Sequence, residues 1–181
     1  MTDAVLVVEQ VGPQVSVQDA GRPGLMRFGV PWSGPMDRRA YAAAQAVLGN
    51  PAGAAGIEVS LGGLALRCLS GSVGFAVAGG GFILDRAGTR AGSWTCASLR
   101  EGERLVIRRG PWGSWCYLAF AGALQTRRWL GSAATHALSG LGGGALRVGQ
   151  ELTVTDAAPV PRPGDFPCPV AARPRQIARV T

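Results

Sequence analysis

From Ala4 the chain reads AVLVVEQVG, a valine-rich run that predicts a strand over residues 4–12. In QVSVQD, residues 14–19, Val15 and Val17 alternate with polar neighbours, the pattern of a half-buried strand. The alternation then stops, and AGRPGLMRFGVPWSGP holds no period of either strand or helix. Periodicity resumes at Met36. Met36, Ala40, Ala43, Ala44, Val47 and Leu48 fall close to one face at helical spacing, which predicts a helix from Met36 to Leu48. Ser33 is expected to cap it, Pro35 suits its first turn, and Asp37 suits its positive end. Gly49 and then Asn50-Pro51 stop it.

After the helix, short apolar runs alternate with turns. Strands are expected over 56–60, 64–69, 73–78, 93–98, 104–109, 115–121 and 151–155. One helix among many short strands predicts a mainly β fold, an antiparallel β-barrel carrying one principal α-helix. From residue 157, Pro159, Pro161, Pro163, Pro167, Pro169 and Pro174 break every pattern. The expected organisation is therefore one domain over 1–156 and a Pro/Arg-rich tail or linker over 157–181.

Composition narrows the function. The 181 residues include 28 Gly and 12 Pro, as a turn-rich β fold requires, and only 16% are charged, which argues against disorder. The net charge is +7 and every basic residue is arginine. The arginines are scattered, with no basic run and no aromatic–basic stripe, so no nucleic-acid partner is expected. Cys68, Cys96, Cys116 and Cys168 form no CxxC pair and stand far from the one histidine, His136. No metal site is expected, and the cysteines read as buried thiols in a reducing compartment. No apolar run has transmembrane length and no signal peptide is evident, so the expected location is the cytoplasm, away from membranes.

The unpatterned stretch holds the candidate chemistry. Gln18, Asp19 and Arg22 stand at a strand exit and together offer an amide, a carboxylate and a guanidinium fork for a planar polar group. The plainer alternative is a turn in which Arg22 pairs with Asp19 or Asp37. Ser33 and Asp37 stand at the helix start, where free N–H groups attract anions, and the alternative there is simple capping. Gly79 and Gly80, in the run Gly79-Gly80-Gly81, look like a phosphate cradle but lack a following Lys and Ser/Thr; a tight hairpin explains them as well. Glu58 lies within the apolar run GIEVS. It suits either a general base of raised pKa or a hydrogen-bond anchor for the helix or loop. His136 reads as structural.

The stretch VQDAGRPGLMRFGVPWSGPMDRRA, followed by VLGNPAGAAGIEV, resembles the biotin-dependent carboxyltransferase-like family, which includes allophanate hydrolase subunit 2 and the C-type subunit of 5-oxoprolinase. The family pattern QDxGRxGxxxxGVPxSGxMD is met at Gln18, Asp19, Gly21, Arg22, Gly24, Gly29, Val30, Pro31, Ser33, Gly34, Met36 and Asp37. The likeness continues through AVAGGGF, CYLAFAGAL and LGSAATHALSGLGGGALRVGQEL. Departures occur at Gln45, Gly81, Ala123, Ala133 and Ala134. The resemblance implies a cyclophilin-like β-barrel and a second conserved half, expected here on another chain. The partners it implies are companion subunits of the 5-oxoprolinase A and B types and a lactam or urea-like small molecule.

The implied function is a subunit of an ATP-dependent 5-oxoprolinase-type complex that opens the lactam of 5-oxoproline to give glutamate. The alternatives are carboxyl transfer from biotin to a urea-like substrate, or a non-catalytic regulator that binds a kinase inhibitor or companion subunit. No cofactor is expected on the chain alone: ATP is expected in the complex, and any biotin must arrive on another chain, since this one has no lysine. Taken with the residue chemistry, the expected catalytic residues are Asp19, Arg22 and Glu58. The expected substrate-binding residues are Gln18, Ser33, Asp37, Gly79 and Gly80.

Overall fold

A computed structural model describes residues 2–169 and residue 173. The strands are β1 (Thr2–Val11), β2 (Ser16–Gln18), β3 (Gly56–Ser60), β4 (Leu64–Ser70), β5 (Ser72–Gly79), β6 (Ile83–Arg86) and β7 (Thr89–Gly92). They continue with β8 (Thr95–Arg100), β9 (Arg104–Arg108), β10 (Trp115–Phe120), β11 (Ala123–Leu124), β12 (Glu151–Ala157) and β13 (Gly164–Asp165). One helix, α1, spans Arg38–Val47, and a short 3-10 turn spans Met26–Phe28. The strands make two antiparallel sheets, ordered β11-β12-β1-β4-β9-β6-β7 and β13-β8-β5-β10-β3-β2. The fold is mainly β with one helix, as the sequence pattern predicts.

Period-2 alternation in the second sheet places both the core and the helix. Val73, Phe75 and Val77 of β5, with Leu118 and Phe120 of β10 and Ile57 and Val59 of β3, face the core shared with Leu6, Leu66, Ile107 and Val154 of the first sheet. The intervening Ala76, Ala78, Tyr117 and Ala119 face outward and receive Ala40, Tyr41 and Ala44 of α1. Alanines on both sides let the helix lie close, and Tyr41 meets Tyr117 edge-on at 6.1 Å between ring centroids.

Several expectations change. The helix begins at Arg38, two residues later than expected, and its cap is Asp37. Asp37 Oδ1 accepts from the N–H groups of Arg39 and Ala40, both at 3.0 Å. Ser33 cannot cap, because its backbone is left-handed (φ 58°) and Pro35 follows before the helix. The β6–β7 hairpin is a new element. Ala87 (φ 49°) and Gly88 (φ 84°) are both left-handed, the requirement of a two-residue hairpin turn. Ala at the first of these positions hides the turn from sequence reading, which looks for Asn or Asp there.

The expected tail is in part built into the fold. β12 runs on to Ala157, the Ala158 carbonyl accepts from Gly74 N–H at 2.7 Å, and Val160 N–H donates to Ser98 Oγ at 2.8 Å. β13 pairs with β8, and Phe166 packs edge-on against Trp94 at 5.8 Å. The rest of the expected tail, 170–172 and 174–181, lies outside the described residues. No helix among the described residues is long and apolar enough to cross a membrane.

Candidate functional site

β2 is the outermost strand of its sheet. Val15 and Val17 point into the core, so Ser16 and Gln18 face the opposite side, toward the unpatterned loop. A distant segment covers the free edge of β2. Thr135 N–H donates to the Val17 carbonyl, Val17 N–H to Gly144 and Leu146 N–H to Val15, at 3.0–3.1 Å.

Asp19 fastens that segment to the loop. It is 4% exposed. Its Oδ1 accepts from Gly21 N–H at 2.9 Å, Ser132 Oγ–H at 2.6 Å and Ala134 N–H at 3.2 Å. Its Oδ2 accepts from Ala133 N–H at 2.6 Å and lies 3.5 Å from Arg128 Nη1. Arg22, 3% exposed, does the same from the donor side. Its Nε donates to the Trp129 carbonyl at 3.3 Å, Nη1 to Ser33 Oγ at 3.0 Å, and Nη2 to the Ala134 carbonyl. The guanidinium also lies 4.8 Å from the Trp129 ring centroid, and Trp129 stacks on His136. Burial pulls the Arg22 pKa down from its usual value, and the Asp19 charge opposes that pull. Arg22 pairs with neither Asp19 nor Asp37 directly; its partner on the loop is Ser33.

A second network lies under the helix start. In the sheet register, Ser16, Glu58 and Tyr117 stand side by side on β2, β3 and β10. Glu58 Oε2 accepts from Met36 N–H and from Tyr117 Oη–H, both at 2.8 Å, and Tyr117 Oη accepts from Asp37 N–H at 2.7 Å. Burial raises the Glu58 pKa, against the pull of its two donors. Burial and the Glu58 charge raise the Tyr117 pKa well above its usual value, so the phenol keeps its proton. Glu58 Oε1 has no hydrogen-bond partner among the described residues.

Gln18 lies one step along the sheet, opposite Gly56. Its Nε2 donates to Ser16 Oγ at 3.0 Å. Its Oε1 is buried and receives no donor among the described residues. A buried carbonyl without a partner is costly, and it marks a place where a ligand N–H would be welcome.

Asp19, Arg22, Ser33, Asp37 and Glu58 therefore collect in two adjoining networks, joined through the segment Ser33–Asp37, and Gln18 neighbours them through the sheet register of β2 and β3. Gly79 and Gly80 do not join them. They end β5, with β10 lying between β5 and β3. A Cβ on Gly79 would lie 2.6 Å from the Trp115 carbonyl oxygen, and one on Gly80 would lie 2.8 Å from that of Trp112. Gly80 N–H donates to Trp115 and Gly81 N–H to Trp112. These glycines admit the crossing backbone of 112–116, and Gly80 and Gly81 direct their N–H groups at it, which favours close backbone packing over a phosphate cradle there. Sequence reasoning missed Tyr117, Ser132 and the Ala133 and Ala134 amides. Only Tyr117 left a signal, a polar-tipped ring at an outward position of an apolar strand.

Among the described residues, no group of three or more His, Cys, Asp or Glu side chains is placed to hold a metal. The four cysteines are free, three of them buried.

The chain matches the family model of the carboxyltransferase domain, subdomain A and B, over residues 28–180. It is 32% identical over 146 residues to the C-type subunit of 5-oxoprolinase from Escherichia coli, covering 77% of this chain and 44% of that protein. It is 34% identical over 156 residues to a putative urea carboxylase of Emericella nidulans, covering 84% of this chain and 12% of that protein. The crystal structure of TTHA0988 superposes with a TM-score of 0.83 at 34% identity, covering 92% of this chain and 34% of the other. The chain spans less than half the length of the curated relatives it matches.

Proposed function

The chain belongs to the family of the carboxyltransferase domain, subdomain A and B, and from that premise we propose that it works as a subunit of an ATP-dependent 5-oxoprolinase-type complex, opening a lactam to an amino acid. The observation that carries this reading is Gln18 Oε1, a buried carbonyl awaiting a donor, one step from the Glu58 carboxylate. A planar amide N–H supplies that donor, and a lactam presents one. Glu58, whose pKa burial raises above the usual carboxylate value, is suited to take up and return a proton. In this reading Asp19 and Arg22 are positioning residues, because their hydrogen-bonding capacity is directed into the protein. Gln18 is 6% exposed, so substrate reaches it only as its surroundings open. Gly80 and Gly81 direct their N–H groups at the 112–115 backbone rather than at a nucleotide, and ATP is assigned to companion subunits of the A and B types.

A urea-like substrate would satisfy Gln18 equally, and the likeness to the Emericella protein favours that second reading. The lactam reading is placed first because the chain makes up 44% of the bacterial 5-oxoprolinase subunit and 12% of the carboxylase, which supports that order.

The test is reconstitution. The chain, co-purified with companion subunits, is expected to release glutamate from 5-oxoproline only when ATP is present. ATP-dependent carboxylation of urea by the chain with a biotinylated carrier, and no glutamate, would install the second reading. Neither activity, with retained binding to a companion, would leave the regulatory one.

A further inference from the structure

Helix α1 is unusual for a surface helix. After Arg38 and Arg39 its sequence AYAAAQAV carries no charge. Gln45, the one amide in that stretch, is buried, while Ala42, Ala46 and Val47 are exposed. An outward flank of methyl groups wastes solvation that charged side chains would supply. That flank forms one wall of a cleft of about 510 Å³, closed on the other sides by Trp32 and by the turn at Ala52 and Gly53. This cleft is separate from the networks around Gln18 and Glu58.

The cleft has a distinct chemistry on each surface. Its floor is spent: Tyr41 Oη and Gln45 Nε2 both donate to the Ala54 carbonyl, at 2.5 and 2.9 Å. Its aromatic wall is fixed, because Trp32 Nε1 donates to the Ala20 carbonyl at 3.1 Å while the indole stays 41% exposed. At the rim, the Arg38 guanidinium lies 4.4 Å from the Trp32 ring centroid, and it has no ion-pair partner among the described residues. An apolar slot with one flat wall and one uncompensated cation at its mouth is complementary to an anion with a flat or slim apolar body.

We propose that the cleft between α1, Trp32 and the Ala52–Gly53 turn binds a small aryl- or alkyl-carboxylate, its carboxylate on Arg38 and its apolar body along Trp32, Ala42 and Ala46. The site is independent of the lactam reading, since none of these residues belongs to the Gln18–Glu58 networks.

Isothermal titration of the full chain tests it, with 3-phenylpropionate, indole-3-acetate and octanoate as probes and 3-phenylpropionamide as the uncharged control. Saturable one-to-one binding of at least one carboxylate is expected. The amide should bind roughly tenfold more weakly than its acid, the magnitude of a charge-assisted hydrogen bond. Arg38→Gln should remove the acid–amide difference, and it cannot disturb the fold because Arg38 is exposed. Ala46→Trp, also at an exposed position, should fill the cleft and abolish binding while the far-ultraviolet circular dichroism stays unchanged. No heat with any of the three acids, equal affinity for acid and amide, or full binding by a folded Ala46→Trp variant would each overturn the proposal.

Discussion

Asp19 gathers its donors from three places: its own loop, the segment Ser132–Ala134 (one hydroxyl and two backbone N–H groups) and Arg128. Asp19→Ala strands the buried N–H groups of Ala133 and Ala134 and the Ser132 hydroxyl, and is expected to cost about 3 kcal/mol or more, read from urea denaturation. The fork of Arg22 is divided among Trp129, Ser33 and Ala134, a geometry that an ammonium cannot copy. Arg22→Lys is therefore expected to lower stability by roughly 2 kcal/mol and to expose the 20–37 loop to protease. Unchanged melting and unchanged cleavage would assign Arg22 to ligand instead. Gln18 separates the two kinds of role. Gln18→Met removes the unpartnered carbonyl and should change stability by less than about 1 kcal/mol, while KM for the lactam rises in the reconstituted complex. These residues stood out in the sequence because amide, acid and guanidinium crowd a strand exit. Their partners did not, since Ser132 and Ala134 lie more than a hundred positions downstream. No local pattern records such a pairing.

At the scale of elements, the helix is anchored from beneath. Met36 N–H and Asp37 N–H are taken by Glu58 and Tyr117 before the Asp37 cap begins. That anchor explains why the sequence placed the helix correctly yet started it early. Pro35, Met36 and Asp37 have helix-start chemistry, but the N–H groups of Met36 and Asp37 are drawn down to the sheet. The anchor is also sensitive to pH. Burial raises the folded-state pKa of Glu58 above the usual 4.5, so the folded chain binds its proton more tightly than the unfolded chain does. The contribution of Glu58 to stability is therefore full below that value and is lost as pH rises through the higher folded pKa. Glu58→Gln keeps an acceptor for Met36 and Tyr117 without the buried charge. The variant should show a flatter stability profile than the parent from about pH 4.5 upward and gain on it toward neutrality. Thermal melts of both proteins across that range check this, and parallel profiles would contradict it. The β6–β7 hairpin shows the opposite case: an element with clear turn geometry, concealed because Ala87 occupies a left-handed position that sequence statistics give to other residues.

For the molecule as a whole, the two-sheet architecture was legible because a single capped, amphipathic run stood out among many short strands. The packing of 157–166 was not, because prolines there signal only that the chain leaves a regular ladder, and the contacts of Ala158, Val160 and Phe166 are tertiary. One surface expectation is carried further. Met26, Phe28 and Met36 on the loop before α1 are 69%, 66% and 71% exposed. Companion-subunit binding, as proposed, is expected to use that face. Met26→Asp combined with Phe28→Asp should leave the melting temperature unchanged and abolish co-purification with the companion. Undiminished co-purification would move the contact elsewhere.

The long reach of Asp19 also sets the order of events during synthesis. Its carboxylate is made early, yet Ser132, which completes its ring of donors, is added 113 residues later. At about 5–20 residues per second, the nascent chain holds an unlatched loop for roughly 6–23 s. β1 likewise pairs with β4 at once but waits for β12. The molecule is thus expected to stay susceptible to protease at the ribosome until translation has passed the β12 stretch, and then to become resistant abruptly. Stalling translation at residues upstream and downstream of that stretch would make the step visible.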